Sequence, residues 1–424
     1  MTAFRPLFLS ALLALGAPAA AQMVPGGSAA PFVIDVPQPV LHDLAARLSA
    51  TRLPAPVEGV GWAYGTDPAA LAELVRYWRE DYDWRAHEAR LNGLPQFVAE
   101  IDAPTGETLG VHFVHVPGTP VEGQDGAIPL LLLHGWPSSF VQFEKIIPLL
   151  TDPAAHGLPG PAFDVVAPSL VGYGFSDAAT RPGLSVPAMA PMMHALMTEV
   201  LGYERYGIRS SDLGAGVAAQ MVLAHPEAIL GSHTGGTSPL LWFVPDDLTE
   251  EERAFVAAAQ AWDQAEMAYF KQQATKPLTL AAGLNDSPAG LLAWIVEKVH
   301  RWADVEGPDG ARDLSRRFTP DELLTNVTIY WVTESIGPSM TLYLESMRDF
   351  GAQGYPEVPV AHFMPANDMF ETPRSWVEKT ARADRYTVSA EGGHFPEWEV
   401  PEAVARDLMG FFGPGGEALA MDAE

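Results

Sequence analysis

Three residues with acid, base or nucleophile chemistry each stand shortly after a predicted strand. Asp212 lies between Ser210 and Gly214 in the segment SSDLGAG. A central residue flanked by small ones is typical of the tight turn between a strand and a helix that exposes a catalytic nucleophile. Asp368 follows the segment VPVAHFMP, and His394 follows two glycines after the last predicted strand. In this order, the three residues could supply a nucleophile, an acid that orients a base, and the base itself.

Each of these residues also has a plainer interpretation. Asp212 could be only the N-cap of the helix that follows it, because aspartate is a preferred residue there. The segment HGWP ends another predicted strand, and the backbone N–H of Trp136 could pair with that of Leu213 to hold an oxyanion. Glycine and proline are also common in ordinary turns. No GxSxG segment occurs in the chain, so a serine esterase would lack its usual nucleophile turn.

The composition limits the classes of function. The chain has 424 residues, a net charge of −28 and 48% apolar residues. This negative charge excludes a nucleic-acid binder that works by neutralising phosphates, and it disfavours docking on anionic lipid. The absence of cysteine excludes disulfides, thiolate metal sites and cysteine nucleophiles. The histidines form no metal-ligand motif, so we expect neither a metal nor another cofactor.

The N-terminus has the three parts of a secretory signal. Arg5 precedes an apolar run from Leu7 to Leu15, and three alanines end at Ala21. This arrangement predicts cleavage after Ala21 and export to the periplasm or out of the cell. A short membrane anchor or a disordered tail is the alternative. No other segment is long and apolar enough to span a bilayer, so we expect no stable membrane insertion.

The elements that must position the polar residues follow an α/β pattern. After a linker at residues 22–31, two helices and a hairpin precede the apolar segments IPLLLLHG and FDVVAPSL, which are typical of parallel strands buried on both faces. Strands and helices then alternate, which predicts a mostly parallel sheet with helices on both faces. The chain order of Asp212, Asp368 and His394 matches the triad of the α/β-hydrolase fold. Five divisions are predicted. They are a signal peptide (residues 1–21), an N-terminal region (22–115), the first half of the core (116–239), a helical lid (240–345), and the second half of the core with a C-terminal tail (346–424).

Several segments in combination resemble the epoxide hydrolases of the microsomal type. TRLPAPVEGVGWAYG and LVRYWREDYDWRAHEARLNGLPQF resemble the N-terminal domain of that family. This chain also resembles further parts of the family in the segments HGWP, VGYGFS, GLNDSPAGLLAWIVEK and GGHFPEWEVPE. The resemblance covers nearly the whole chain after the signal. It implies an α/β-hydrolase fold whose helical lid carries two tyrosines.

The resemblance also implies roles for individual residues. Asp212 falls at the position of the nucleophile, Asp368 at the acid and His394 at the base. Tyr269 and Tyr343 fall at the positions of the lid tyrosines, which would hydrogen-bond the epoxide oxygen and protonate it as the ring opens. The expected reaction forms an ester on the nucleophile, which water activated by the histidine then hydrolyses to a vicinal diol. The expected partners are a small apolar epoxide and water, and a homo-oligomer is compatible with the sequence.

The chain departs from the family pattern around two of these positions. Leu213 stands where the family often has tryptophan, which changes the pocket wall but keeps the backbone N–H. The loop before Asp368 is one residue longer, so nearby Glu371 is an alternative acid. Two other functions stay open at this stage. A haloalkane dehalogenase would use the same nucleophile with indole donors such as Trp136 for the halide, and an exported scaffold could bind ligands without catalysis.

Overall fold

One nine-stranded sheet forms the centre of the molecule. The computed structural model describes residues 29–235 and 244–420. The predicted signal segment, residues 1–21, lies outside the described residues. The strands are β1 (Ala29–Pro31), β2 (Gln96–Asp102), β3 (Thr108–Val116), β4 (Ile128–Leu133), β5 (Phe163–Pro168), β6 (Tyr206–Ser211), β7 (Ile229–Gly235), β8 (Val360–Pro365) and β9 (Arg385–Ser389).

The sheet is antiparallel at one side and parallel through the rest. The strand order is β1-β2-β3-β5-β4-β6-β7-β8-β9. The first three pairs in this order are antiparallel, including the predicted hairpin of β2 with β3, and the remaining five pairs are parallel. The linker prediction was wrong at its end, because the backbone of Ala29–Pro31 pairs with Phe97–Ala99 and adds an edge strand to the sheet.

Sixteen α-helices surround the sheet in the described residues. Those before β7 are α1 (Gln38–Ser49), α2 (Pro68–Glu80), α3 (Trp84–Leu91), α4 (Ile147–Thr151), α5 (Val186–Ala195) and α6 (Leu213–Ala224). Six more lie between β7 and β8 and are called the helical segment: α7 (Glu250–Glu266), α8 (Ala268–Gln273), α9 (Pro277–Leu284), α10 (Pro288–Trp302), α11 (Pro320–Val332) and α12 (Ile336–Ser346). The last are α13 (Arg374–Thr380), α14 (Pro396–Glu399), α15 (Pro401–Phe412) and α16 (Glu417–Ala420). None of the described helices is long and apolar enough to cross a membrane.

Side chains of the central strand β4 alternate between two hydrophobic cores. Leu131 and Leu133 pack in one core with residues of α5 and α6. Leu130 and Leu132 pack in the other core with residues of α4 and α15. All four leucines are fully buried. Both faces of β4 are therefore covered by helices, which explains its continuous apolar sequence.

Helices at the N-terminus pack against the helical segment. Trp78 is buried, and the ring of Trp62 stacks on that of His300 in α10 with ring centres 3.8 Å apart. The hydroxyl of Tyr77 donates to the carboxylate of Asp321 in α11 at 2.9 Å. The aromatic side chains of this region therefore help to fix α10 and α11, and α10 ends next to the site described below.

Candidate active site

Asp212 occupies a strained turn between β6 and α6. Its φ of 51° and ψ of −124° lie where residues other than glycine rarely occur. A Cβ atom at Gly214 would overlap the carbonyl oxygen of Leu133, and one at Gly135 would overlap the Asp212 side chain, so small neighbours are required. Within the described residues, the Asp212 side chain makes no capping hydrogen bond to α6. Asp212 thus occupies the N-cap position of α6 without capping the helix by its side chain, and the turn presents the carboxylate to other groups.

The structure brings Asp212, Asp368 and His394 together, although 182 residues separate the first from the last. His394 Nε2 lies 3.3 Å from Asp212 Oδ2, and His394 Nδ1 lies 3.0 Å from Asp368 Oδ1. The side chains of His394 and Asp368 are 1% exposed, and that of Asp212 is 20% exposed. Glu371 is exposed at the surface. Of the two candidate acids, the fold therefore places Asp368 against the histidine.

The two carboxylates hold a proton on His394. Burial alone would lower the pKa of this imidazole, but the charge of Asp368, hydrogen bonds to both carboxylates and the charge of Asp212 outweigh it. Together they raise the pKa of His394 to about 10. This raised pKa favours the protonated imidazole at neutral pH. Loss of the charge on Asp212 would lower this pKa, so the proton on the histidine is coupled to the state of Asp212.

A backbone donor faces the Asp212 carboxylate from the turn that follows β4. The N–H of Trp136 donates to Asp212 Oδ1 at 3.0 Å. Leu213 is the first residue of α6, and the N–H groups in the first turn of a helix have no partner inside that helix. The helix dipole adds partial positive charge at the same end. Of the two backbone groups that the sequence predicts for an oxyanion hole, the N–H of Trp136 thus lies against Asp212, and Leu213 directly follows Asp212 in the chain.

Tyr269 in α8 and Tyr343 in α12 meet at the indole of Trp136. The Tyr269 ring stacks almost parallel on this indole with centres 5.4 Å apart, and the Tyr343 ring meets it edge-on at 6.0 Å. The two phenol rings are 6.3 Å apart. Burial, followed by the charge of Asp212, raises the pKa of Tyr269 well above its ordinary value. Burial, Tyr269 and Asp212 do the same to the pKa of Tyr343, so both phenols keep their protons at neutral pH.

Trp302, at the end of α10, forms a further wall of the site that sequence reasoning missed. Its ring centre lies 5.2 Å from those of both His394 and Tyr269, and 6.2 Å from that of Trp136. The Trp302 carbonyl also accepts the backbone N–H of His394 at 3.0 Å. The surroundings of the Asp212 carboxylate are therefore largely aromatic. In the part of the chain that the structure describes, no cluster of three or more side chains could hold a metal ion.

Glu399 holds the loop that carries the histidine, and sequence reasoning missed it too. Its buried carboxylate accepts the N–H groups of Asp304, Gly393 and Phe395 at 2.7, 3.0 and 2.9 Å. Burial raises the pKa of Glu399 to about 7, although the N–H groups of Asp304 and Phe395 act to lower it. The sequence contains one signal for this role. An acid within the first turn of a helix often bonds back to the N–H groups that precede the helix.

The sheet, its helices and the site together define the class of protein. The sheet is mostly parallel and is covered by helices on both faces. An aspartate lies on the turn after a central strand, and an acid and a histidine follow later strands. This combination is typical of an α/β-hydrolase. Comparison with known proteins agrees. The family model described as alpha/beta hydrolase fold matches residues 128–288, and the one described as epoxide hydrolase N terminus matches residues 29–143.

Relatives are similar over nearly the whole chain. Epoxide hydrolase 1 of Oryctolagus cuniculus is 34% identical over 415 residues, which cover 90% of this chain and 88% of that protein. The crystal structure of juvenile hormone epoxide hydrolase from the silkworm Bombyx mori is 34% identical with a TM-score of 0.75, covering 90% of this chain and 92% of that one. The structure of Aspergillus niger epoxide hydrolase is 28% identical with a TM-score of 0.77, covering 92% and 97%. The chain belongs to the epoxide hydrolase family, which confirms the fold and the family predicted from the motifs.

Proposed function

We propose that this protein hydrolyses small apolar epoxides to vicinal diols, with water as the second substrate and without a cofactor. The observation that carries the proposal is the position of two buried phenols, Tyr269 and Tyr343, against the indole of Trp136, whose backbone N–H binds the Asp212 carboxylate. This arrangement puts proton donors and a nucleophile around one aromatic site. Membership of the epoxide hydrolase family supports the same activity.

In the first half-reaction, Asp212 attacks a carbon atom of the epoxide and forms a covalent ester. The carbon–oxygen bond that breaks would leave an alkoxide, which needs a donor in a site with little water. Tyr269 and Tyr343 supply hydrogen bonds and a proton to this oxygen. Because the helical segment carries both donors, it acts as the predicted lid in this mechanism.

In the second half-reaction, His394 takes a proton from water, which attacks the carbonyl carbon of the ester. Esterification neutralises Asp212 and so removes one cause of the raised pKa of His394, which frees the imidazole to act as a base. Asp368 keeps the ring oriented and stabilises the imidazolium that forms. The N–H groups of Trp136 and Leu213 hold the oxyanion until the diol leaves.

Diol formation from styrene oxide by the purified protein, measured by chromatography, tests the proposal. The wild type should turn over, and Asp212→Ala should lose all turnover because no ester can form. Asp125→Ala, a change at an exposed aspartate, is the matched control and should keep wild-type activity. Failure of the wild type to form diol from a panel of aryl and alkyl epoxides would contradict the proposal.

Halide release from haloalkanes is the second candidate function, since it would use the same ester on Asp212. Among the described residues, the buried indole N–H groups of Trp136 and Trp302 have no hydrogen-bond partner, and such donors are what a departing halide needs. Bromide release from 1-bromobutane, followed with an ion-selective electrode, separates the two candidates. Bromide release without diol formation would support dehalogenation. Epoxide binding with neither reaction would support a scaffold that only binds.

We also propose that the protein is exported and works in the periplasm or outside the cell. Support comes from the sequence of residues 1–21, with its basic start, apolar run and final alanines. Expression of the full chain, cell fractionation and N-terminal sequencing provide the test. A mature protein that begins at Gln22 outside the cytoplasm is expected, and an intact N-terminus in the cytoplasm would contradict export.

A further inference from the structure

A buried lysine lies against one of the two phenols. Lys298 belongs to α10, and its side chain is 8% exposed. Its ammonium lies 4.8 Å from the centre of the Tyr269 ring and 6.0 Å from that of Trp302. The carboxylate of Glu297 pairs with it at 2.5 Å. Lysine is rarely buried to this degree unless its charge has a partner. The face of a tyrosine ring attracts a cation that lies over it.

The charges around the two phenols differ. After burial, the carboxylates of Asp212 and Glu297 make it harder for Tyr269 to lose its proton. The ammonium of Lys298 lies over the same ring. Tyr343 faces Asp212 and other phenols, and no lysine or arginine lies over its ring among the described residues. A phenolate spreads its charge into the ring. A phenolate of Tyr269 would therefore lie next to an ammonium, whereas one of Tyr343 would not.

We propose that Lys298 stabilises the phenolate of Tyr269, so that Tyr269 transfers its proton to the opened epoxide while Tyr343 donates a hydrogen bond and keeps its proton. This inference deepens the proposed function and rests on it. Lys298 acts through Tyr269, and it is therefore a positioning residue. The two tyrosines, which the family resemblance treats alike, have different tasks in this mechanism.

The step balances in atoms and in charge. An oxygen of Asp212 forms a bond to the epoxide carbon, the ring carbon–oxygen bond breaks, and its electron pair stays on the oxygen, which takes the proton of Tyr269. Negative charge thus moves from Asp212 to the phenolate beside Lys298. Since Asp212 has lost its charge, it no longer raises the pKa of His394. Loss of one proton by the imidazolium and gain of one by the phenolate then restore the neutral base that the second half-reaction needs.

A double-mutant cycle on ester formation tests the inference. Lys298→Met keeps the length of the side chain and removes the charge, so it should slow ester formation in single-turnover experiments by on the order of tenfold to a hundredfold. Ester hydrolysis should keep its wild-type rate, and Lys298→Arg should retain most of the rate of ester formation. In the Tyr269→Phe background, Lys298→Met should have no further effect, whereas its full effect should remain with Tyr343→Phe. Lys271→Met, at a lysine of α8 whose side chain is 59% exposed, is the matched control.

Two outcomes of this cycle would overturn the inference. The first is an equal loss from Lys298→Met in both phenylalanine backgrounds. The second is a loss confined to ester hydrolysis. In either case Lys298 would not act through the proton of Tyr269.

A second measurement does not depend on turnover. With 3,5-difluorotyrosine in place of Tyr269, the phenol ionises in an accessible pH range and its absorbance reports its pKa. Lys298→Met should raise this pKa by about 1 or more, and Lys298→Arg should leave it near the wild-type value. An unchanged pKa would overturn the inference even if the protein hydrolyses epoxides. If the protein hydrolyses none, the proposed function fails, while a raised pKa would still support the charge coupling of Lys298 and Tyr269.

Discussion

Replacement of His394 by glutamine should separate the two half-reactions. In the proposed mechanism, ester formation needs the Asp212 carboxylate and the phenols, whereas only hydrolysis of the ester needs a base. Glutamine is close to histidine in size and can still donate a hydrogen bond to Asp368, but it cannot take a proton at neutral pH. The variant should therefore form the ester and retain it.

The geometry of His394 sets the size of the effect. Its Nε2 lies 3.3 Å from Asp212 Oδ2, which is close enough to activate a water for attack on the ester. Removal of a well-placed general base slows a reaction by about 10²–10⁴-fold, or about 3–5 kcal/mol of transition-state stabilisation. Ester formation should slow much less, because the variant keeps the Asp212 carboxylate and both phenols. The ester should therefore become the main form of the enzyme.

Intact-protein mass spectrometry after exposure to styrene oxide detects the ester. His394→Gln should gain the mass of the substrate, and peptide mapping should place it on the peptide that contains Asp212. His156→Gln, at an exposed histidine, is the matched control and should hydrolyse its ester at the wild-type rate. In labelled water, one turnover of the wild type should place solvent oxygen in the Asp212 carboxylate. No adduct, together with labelled oxygen in the first diol, would refute covalent catalysis and leave a general-base mechanism.

Three further predictions concern the residues around the nucleophile. Asp368→Asn should lower kcat by about 10²–10⁴-fold because the imidazole loses its partner, while Glu371→Gln should change it little; the reverse ranking in steady-state kinetics would move the acid to Glu371. Tyr269→Phe and Tyr343→Phe should each slow ester formation, since each hydrogen bond to the developing alkoxide contributes about 1.5–3 kcal/mol. A double variant with a near wild-type single-turnover rate would exclude the proton-donor role. Glu399→Gln should cost about 1–3 kcal/mol in the free energy of unfolding, because at least one buried N–H loses its acceptor, and a denaturation midpoint equal to that of Glu371→Gln would show that the bonds to Glu399 contribute nothing.

The local pattern of the sequence determined most of the fold. IPLLLLHG predicts a strand buried on both faces, and β4 is such a strand because the spacing of apolar side chains is a property of a few neighbouring residues. The small residues around Asp212 predict its turn for a similar reason, since only they allow the backbones to approach so closely. The ends of the parallel strands then bring His394 to the same edge of the sheet, as their order along the chain suggests.

Only the tertiary structure decided which distant side chains meet. Asp368 and Glu371 are acids three positions apart, and the sequence left both open, because the path of a loop between packed elements is not set by local pattern. The loop turns Asp368 towards His394 and leaves Glu371 at the surface. The burial of Glu399 depends on how the histidine loop packs against the end of α10, and that of Lys298 on how α10 packs against α8. A charged side chain in an amphipathic segment ordinarily predicts exposure, so the contact of Lys298 with Tyr269 becomes visible only once the helices are placed in space.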